Sequence, residues 1–373
     1  MKETDSTSTP AVPLRIASID FFRGFTMFLL MGEATELYSH IRSMQGSGVM
    51  QFIGTQLDHH EWHGLHFWDL IQPFFMFLVG VAIPFAVANR KRKGDSQRSI
   101  TLHAIQSSLL LLFFGWALYN IDPGRIVFRL QNVLAQLSVT YIVAYLIMKK
   151  SFSFQLIFSV ALLVIVDLAY RFFPLEGFNH PWVPFENLGA WVNNKIEGVD
   201  KASIWATLNA IPTTAHTIWG VLCGKLLMSN RTAQQKIKAM VIAGAAGLAI
   251  GYSLDLLNVT PIIKKIATMS FVFASGGWAI LALAFSYWLI DMKKLFAGGS
   301  KFFMIVGMNC IFIYLFFSAG GAGLLYEAIR PIPVSLFSWA GEFTPGVITS
   351  LLVWASMWYM CYWLFRNKMY IKI

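Results

Sequence analysis

The stretch LDHHEWHGLHFWDLIQPFF, residues 57–75, places four histidines, two aspartates and a glutamate at the edge of a long apolar run. If the segment is helical, His59, His63 and His66 fall at i, i+4 and i+7 and share a face, with His60 and Asp69 to one side. Such a cluster suits three roles. Histidines at i and i+4 with Asp58, Glu61 or Asp69 suit a zinc site, although the order HHEWH is not the H-E-x-x-H of a metalloprotease helix. Imidazoles beside Trp62 and Trp68 also suit anchoring at a membrane boundary. An imidazole held by a carboxylate is, thirdly, the usual proton acceptor near neutral pH.

Other ionisable groups lie inside apolar sequence, where each needs a partner, a cavity or a function. Asp20 and Arg23 are three apart in SIDFFRGF and can pair on one helical face. Glu33 and Glu36 follow at the far end of that segment, Asp167 lies in another, and His216 and Lys225 share a third. Their plain structural roles are an interfacial ion pair for Asp20 and Arg23, snorkelling for Lys225 and interhelical hydrogen bonding for His216.

The elements that must position these residues are membrane helices. The chain has 373 residues, 56% hydrophobic and 13% charged, against about 25% charged in a soluble domain. Stretches of about 20 apolar residues, long enough to cross a bilayer core, recur at 19–38, 67–89, 103–120, 130–148, 152–171, 204–228, 237–254, 267–290, 301–318 and 346–365. The expectation is an all-α polytopic protein of about ten transmembrane helices. It has a disordered tail over 1–14 and one membrane domain over 15–373. The net charge of +10 does not indicate nucleic acid, because the basic residues sort by connection. RKRKGDSQR, KK, NRTAQQKIK, DMKK and the tail RNKMYIKI alternate with loops 39–66, 172–203 and 319–345, which hold few cations. The positive-inside pattern then puts both termini in the cytoplasm and the histidine cluster outside. The three outer loops are too long for simple connections, which marks them as functional or partly structured. Three cysteines, each in apolar sequence, indicate neither a disulfide framework nor a thiolate metal site.

The pattern H-x-x-W-x-G-L-x-x-x-D-L-I-x-P-x-F-x-F-x-x-G is carried by His59, Trp62, Gly64, Leu65, Asp69, Leu70, Ile71, Pro73, Phe75, Phe77 and Gly80. It resembles that of the transmembrane acetyltransferases typified by heparan-alpha-glucosaminide N-acetyltransferase and their bacterial homologues. RIASIDFFRGF (15–25), RLQNVLAQLSVTYIVAYL (129–146), GVLCGKLL (220–227) and GGSKFFMIVGMNCIFIYL (298–315) are similar to further blocks of that family, in the same order.

The resemblance implies transfer of an acetyl group from cytoplasmic acetyl-CoA to the amine of a glucosamine residue across the membrane. His59 occupies the family's catalytic position. Family members often carry small or apolar neighbours there, whereas this chain has His60, Glu61, His63 and His66, so several imidazoles compete for the role. Asp58 or Asp69 would orient the base, and transfer would be direct or pass through an acetyl-histidine. Arg23, paired with Asp20, and Lys225 are the candidates for the CoA phosphates, and Asn309 for the pantetheine arm. No metal is expected. The implied partners are acetyl-CoA, an amino sugar or glycan, the lipid bilayer of a bacterial inner membrane and a second copy in a homodimer. O-acylation of an envelope glycan, and sugar transport without chemistry, are the competing functions.

Overall fold

Short polar residues start many of the helices. Ser96, Asn132, Ser151, Asn187, Thr232 and Thr268 each accept a backbone N–H of the following turn, which satisfies a donor that the helix itself leaves open. The computed structural model describes residues 16–43, 48–120, 126–201 and 203–371, so the tail expected over 1–14 lies outside the described residues. In chain order the first eight helices are α1 (Ala17–Glu33), α2 (Leu37–Ser43), α3 (Gly48–Gln56), α4 (Ile71–Arg92), α5 (Gln97–Leu118), α6 (Val133–Ile147), α7 (Phe152–Arg171) and α8 (Leu188–Glu197). Then follow α9 (Thr214–Met228), α10 (Ala233–Leu256), α11 (Met269–Ser286), α12 (Ala297–Gly307), α13 (Cys310–Ser318), α14 (Gly321–Ile329), α15 (Pro331–Phe337) and α16 (Phe343–Arg366). Among the described residues there is no strand.

Six helical runs are long and apolar enough to cross a membrane: Phe67–Arg92, Gln97–Leu118, Phe152–Arg171, Ala233–Leu256, Met269–Met292 and Phe343–Arg366. The segment 301–318, read in the sequence as one helix, is instead broken into α12 and α13 by a 62° bend, and counted together they make a seventh. Helices α1, α6 and α9 have 17, 15 and 15 residues, short of the roughly 20 that span a bilayer core. The long loops 39–66, 172–203 and 319–345 hold structure of their own: α2 and α3 in the first, α8 in the second, α14 and α15 in the third.

Helices α4 and α11 are mostly buried, while α5, α7 and α10 turn apolar side chains outward, among them Leu109, Phe113, Ile157, Ile165 and Ile242. An apolar exterior around a buried core suits hydrocarbon rather than water, and the arrangement fits a multi-pass membrane protein. Small residues let the inner helices approach closely. A Cβ on Gly80 of α4 would stand 2.0 Å from the Thr217 carbonyl oxygen of α9, and one on Gly24 of α1 would stand 1.9 Å from the Phe303 oxygen of α12. At the start of α1, the Asp291 carboxylate accepts the N–H groups of Ala17 and Ser18 at 3.1 and 3.0 Å, placing an anion at the positive end of the helix.

Candidate active site

Asp69 lies in the 3-10 turn Phe67–Leu70 that opens α4, and its side chain is 1% exposed. Its Oδ1 is 3.0 Å from His59 Nδ1 and 3.5 Å from Lys264 Nζ. Its Oδ2 accepts the backbone N–H groups of His66 at 2.9 Å and His60 at 3.2 Å. Four donors thus converge on one buried carboxylate. An ionised carboxylate only accepts, so in the tautomer that donates to Asp69 the His59 proton sits on Nδ1 and Nε2 keeps its lone pair. The imidazole is set as a base whose free nitrogen points away from its orienting partner.

Residues 57–66 do not form a helix, and the face that would have joined His59, His63 and His66 does not exist. Gly64 adopts φ +147°, a conformation open to glycine, and its N–H donates to the Ile262 carbonyl at 2.9 Å. The four rings take separate partners. His63 Nε2 meets Asp255 Oδ1 at 2.7 Å, His66 Nδ1 meets the Asp58 carbonyl at 3.1 Å, and His60 packs on His66 at 4.7 Å between centroids. Among the described residues no group of three or more His, Cys, Asp or Glu side chains is placed to hold a metal ion.

Lys264 is a site residue that the sequence reading does not single out, because it lies in the connection 257–268 between α10 and α11 and not in one of the long loops. That connection is tied on several sides. Arg171 of α7 donates to the Val259 carbonyl and, at 2.8 Å, to Thr260 Oγ1, and is itself paired with Asp167 at 2.6 Å. Asp255 accepts the Ile262 N–H at 2.9 Å, and the Lys265 carbonyl accepts the Ala206 N–H at 2.9 Å. These bonds hold Lys264 where burial pushes its ammonium down to about 8, against the opposing pull of Asp69. Two adjacent lysines in TPIIKKI, between two apolar runs, are the signal available in the sequence.

A cavity of about 250 Å3 opens beside His59 and Lys264, walled by Glu33, Gln72, Tyr119, Gln131, Trp205 and Tyr314 among others. Trp205 stands edge-on to the His59 ring at 5.3 Å, and Lys264 Nζ lies 5.5 Å from the Trp205 centroid. Trp205 lines this cavity, whereas Trp182 and Trp191, in the loop 172–203, do not. Trp182 packs with Arg171 at 5.2 Å, and Trp191 with Phe173 at 5.2 Å.

The other sequence candidates are dispersed. Asp58, the alternative orienting carboxylate, pairs with Arg42 at 3.0 Å and accepts the His59 backbone N–H, with no contact to the imidazole. Asp20 and Arg23 form their ion pair at 2.9 Å on α1. Lys225 lines a groove of about 740 Å3 to which α1 contributes nothing, so it does not join Arg23 there. Asn309 at the α12–α13 break donates to the Met369 carbonyl at 3.2 Å and accepts the Ile371 N–H at 3.1 Å. Its amide is thus engaged by the carboxy-terminal segment at both ends.

The chain is 22% identical to human (Homo sapiens) heparan-alpha-glucosaminide N-acetyltransferase over 431 residues, covering 97% of this chain and 60% of that protein. It is 22% identical to the mouse (Mus musculus) protein of the same name over 368 residues, covering 81% and 53%. The similarity is a distant relationship. The chain spans little more than half the length of these relatives. No protein-family model matches it.

Proposed function

We propose that the chain is a membrane acetyltransferase that delivers the acetyl group of acetyl-CoA to the amine of a glucosamine-type sugar, with His59 as general base. The observation that carries this reading is the His59–Asp69 pair at 3.0 Å on the rim of a cavity between helices. The distant relatives, which are N-acetyltransferases by name, support it. The acceptor amine attacks the thioester carbonyl, a C–N bond forms and the C–S bond breaks. His59 Nε2 takes the amine proton and returns it to the departing thiolate. Asp69 stabilises the imidazolium formed between these steps. The same Nε2 is the atom that would carry the acetyl group in a two-step transfer.

In this reading about ten helical segments cross a bacterial inner membrane, both termini are cytoplasmic, and His59 lies toward the outer face. Arg23, held by Asp20, and Lys225 meet the CoA phosphates from the cytoplasmic side. Purified protein supplied with labelled acetyl-CoA and paired acceptors, glucosamine and N-acetylglucosamine oligomers, tests the reaction. Label on the free amine is the expected result. Label only on hydroxyls would make the protein an O-acyltransferase, and sugar movement across vesicles without acetyl-CoA would make it a transporter.

A further inference from the structure

The cavity beside His59 contains a second carboxylate that the base and its orienting partner do not use. Glu33 is the last residue of α1 and is exposed on the cavity wall. Its Oε1 accepts the Trp68 indole N–H at 2.8 Å, which aims the carboxylate on the cavity wall, within electrostatic reach of Lys264. Among the described residues Glu33 forms no salt bridge. The other full charges at the site cancel, because Lys264 and Asp69 lie 3.5 Å apart. With His59 neutral, the cavity is left with one negative charge in excess. Glu33 also stands at the carboxyl end of a helix, where the open carbonyls of the last turn favour a cation.

The remaining walls narrow the ligand class. Tyr119, Trp205 and Tyr314 offer aromatic faces, and Gln72 and Gln131 offer amides. Flat aromatic surfaces and amide groups suit a hydroxylated ring, and the unpaired carboxylate asks for a positive charge on it. We infer that Glu33 is the specificity-determining residue of the site: its carboxylate binds the ammonium of the acceptor and so selects amino sugars over neutral ones. The inference rests on the acetyltransferase reading. The ammonium pairs with Glu33 on entry and releases one proton to solvent through His59 Nε2; the neutral amine then attacks the thioester, and its second proton passes through the same Nε2 to the departing thiolate. The acetamide product has no charge for Glu33 to hold, so the product leaves more readily than the substrate.

Steady-state kinetics of Glu33→Gln with glucosamine, together with glucosamine binding in the absence of acetyl-CoA, test this. A glutamine still accepts the Trp68 N–H, so the wall keeps its shape. The expected result is an acceptor KM and a glucosamine Kd raised about tenfold or more, as for loss of a charged hydrogen bond. The KM for acetyl-CoA stays unchanged, and Glu33→Asp recovers part of the affinity. An active Glu33→Gln variant with unchanged acceptor KM and Kd overturns the inference alone. So does a variant in which both KM values rise together, since that marks a structural role. Wild-type protein that acetylates no amine overturns the functional reading itself.

Discussion

Lys264 Nζ lies 3.1 Å from His59 Nδ1 although 205 positions separate the two residues. Both lie against the same oxygen of Asp69, at 3.0 and 3.5 Å, so the three side chains form one electrostatic unit assembled from two loops.

Lys264 gives that unit a pH dependence. Burial pushes its ammonium down to about 8, so the charge that helps hold Asp69 is lost as pH rises through that value. The kcat/KM for acetyl transfer is expected to fall above about pH 8 in the wild type, and the fall moves to higher pH in Lys264→Arg, whose guanidinium stays charged. Comparing the two profiles with one acceptor cancels the titration of the acceptor amine. Stability carries the opposite sign. Between about 8 and the ordinary 10.5 the folded protein binds fewer protons at this residue than the unfolded chain does, so its contribution to stability rises with pH across that window. Thermal unfolding of Lys264→Met, followed over the same range, loses that rise.

The two candidate orienting carboxylates separate cleanly by geometry. Asp69 touches the His59 ring and Asp58 does not. Asp69→Asn is expected to lower kcat by roughly 10²- to 10⁴-fold, because an amide can present a donor to Nδ1 and favour the wrong tautomer. Asp58→Asn keeps kcat within about twofold, since it removes only an exposed pair. Equal losses in both variants, measured by initial rates, would remove the orienting role from Asp69.

At the other end of α1, Arg23 and Asn309 are expected to behave differently. Asn309→Ala removes two hydrogen bonds to the tail backbone and lowers stability by about 1–3 kcal/mol, with the KM for acetyl-CoA unchanged. Arg23→Ala raises that KM and leaves the acceptor KM alone. Calorimetry and kinetics on the two variants check the contrast, and a raised acetyl-CoA KM in Asn309→Ala would put Asn309 on the cofactor path.

Long apolar runs made α7 legible to the residue and α10 and α16 to within four residues, because hydropathy is a local property. The break at Asn309 was not legible. A segment bent through 62° has the same composition as a straight one, and only the tail bonded to Asn309 marks it. His59 and Asp69 were readable as a spaced pair within one motif. Lys264 was not, since its approach depends on Arg171, Asp255 and Gly64 clamping the 257–268 connection from three other parts of the chain. The shared face of His59, His63 and His66 required a helix, and Gly64 and the Asp69 carboxylate dictate a loop there.

The central claim is that His59, among four neighbouring histidines, is the base. Single-turnover transfer from labelled acetyl-CoA to glucosamine, followed in wild type, His59→Ala, His60→Ala and His63→Ala, tests it most directly. The account predicts a loss of about 10²-fold or more for His59→Ala, with the unfolding temperature largely kept and near-normal rates in the other two. Near-normal turnover in His59→Ala, with loss in His60→Ala or His63→Ala, would contradict it.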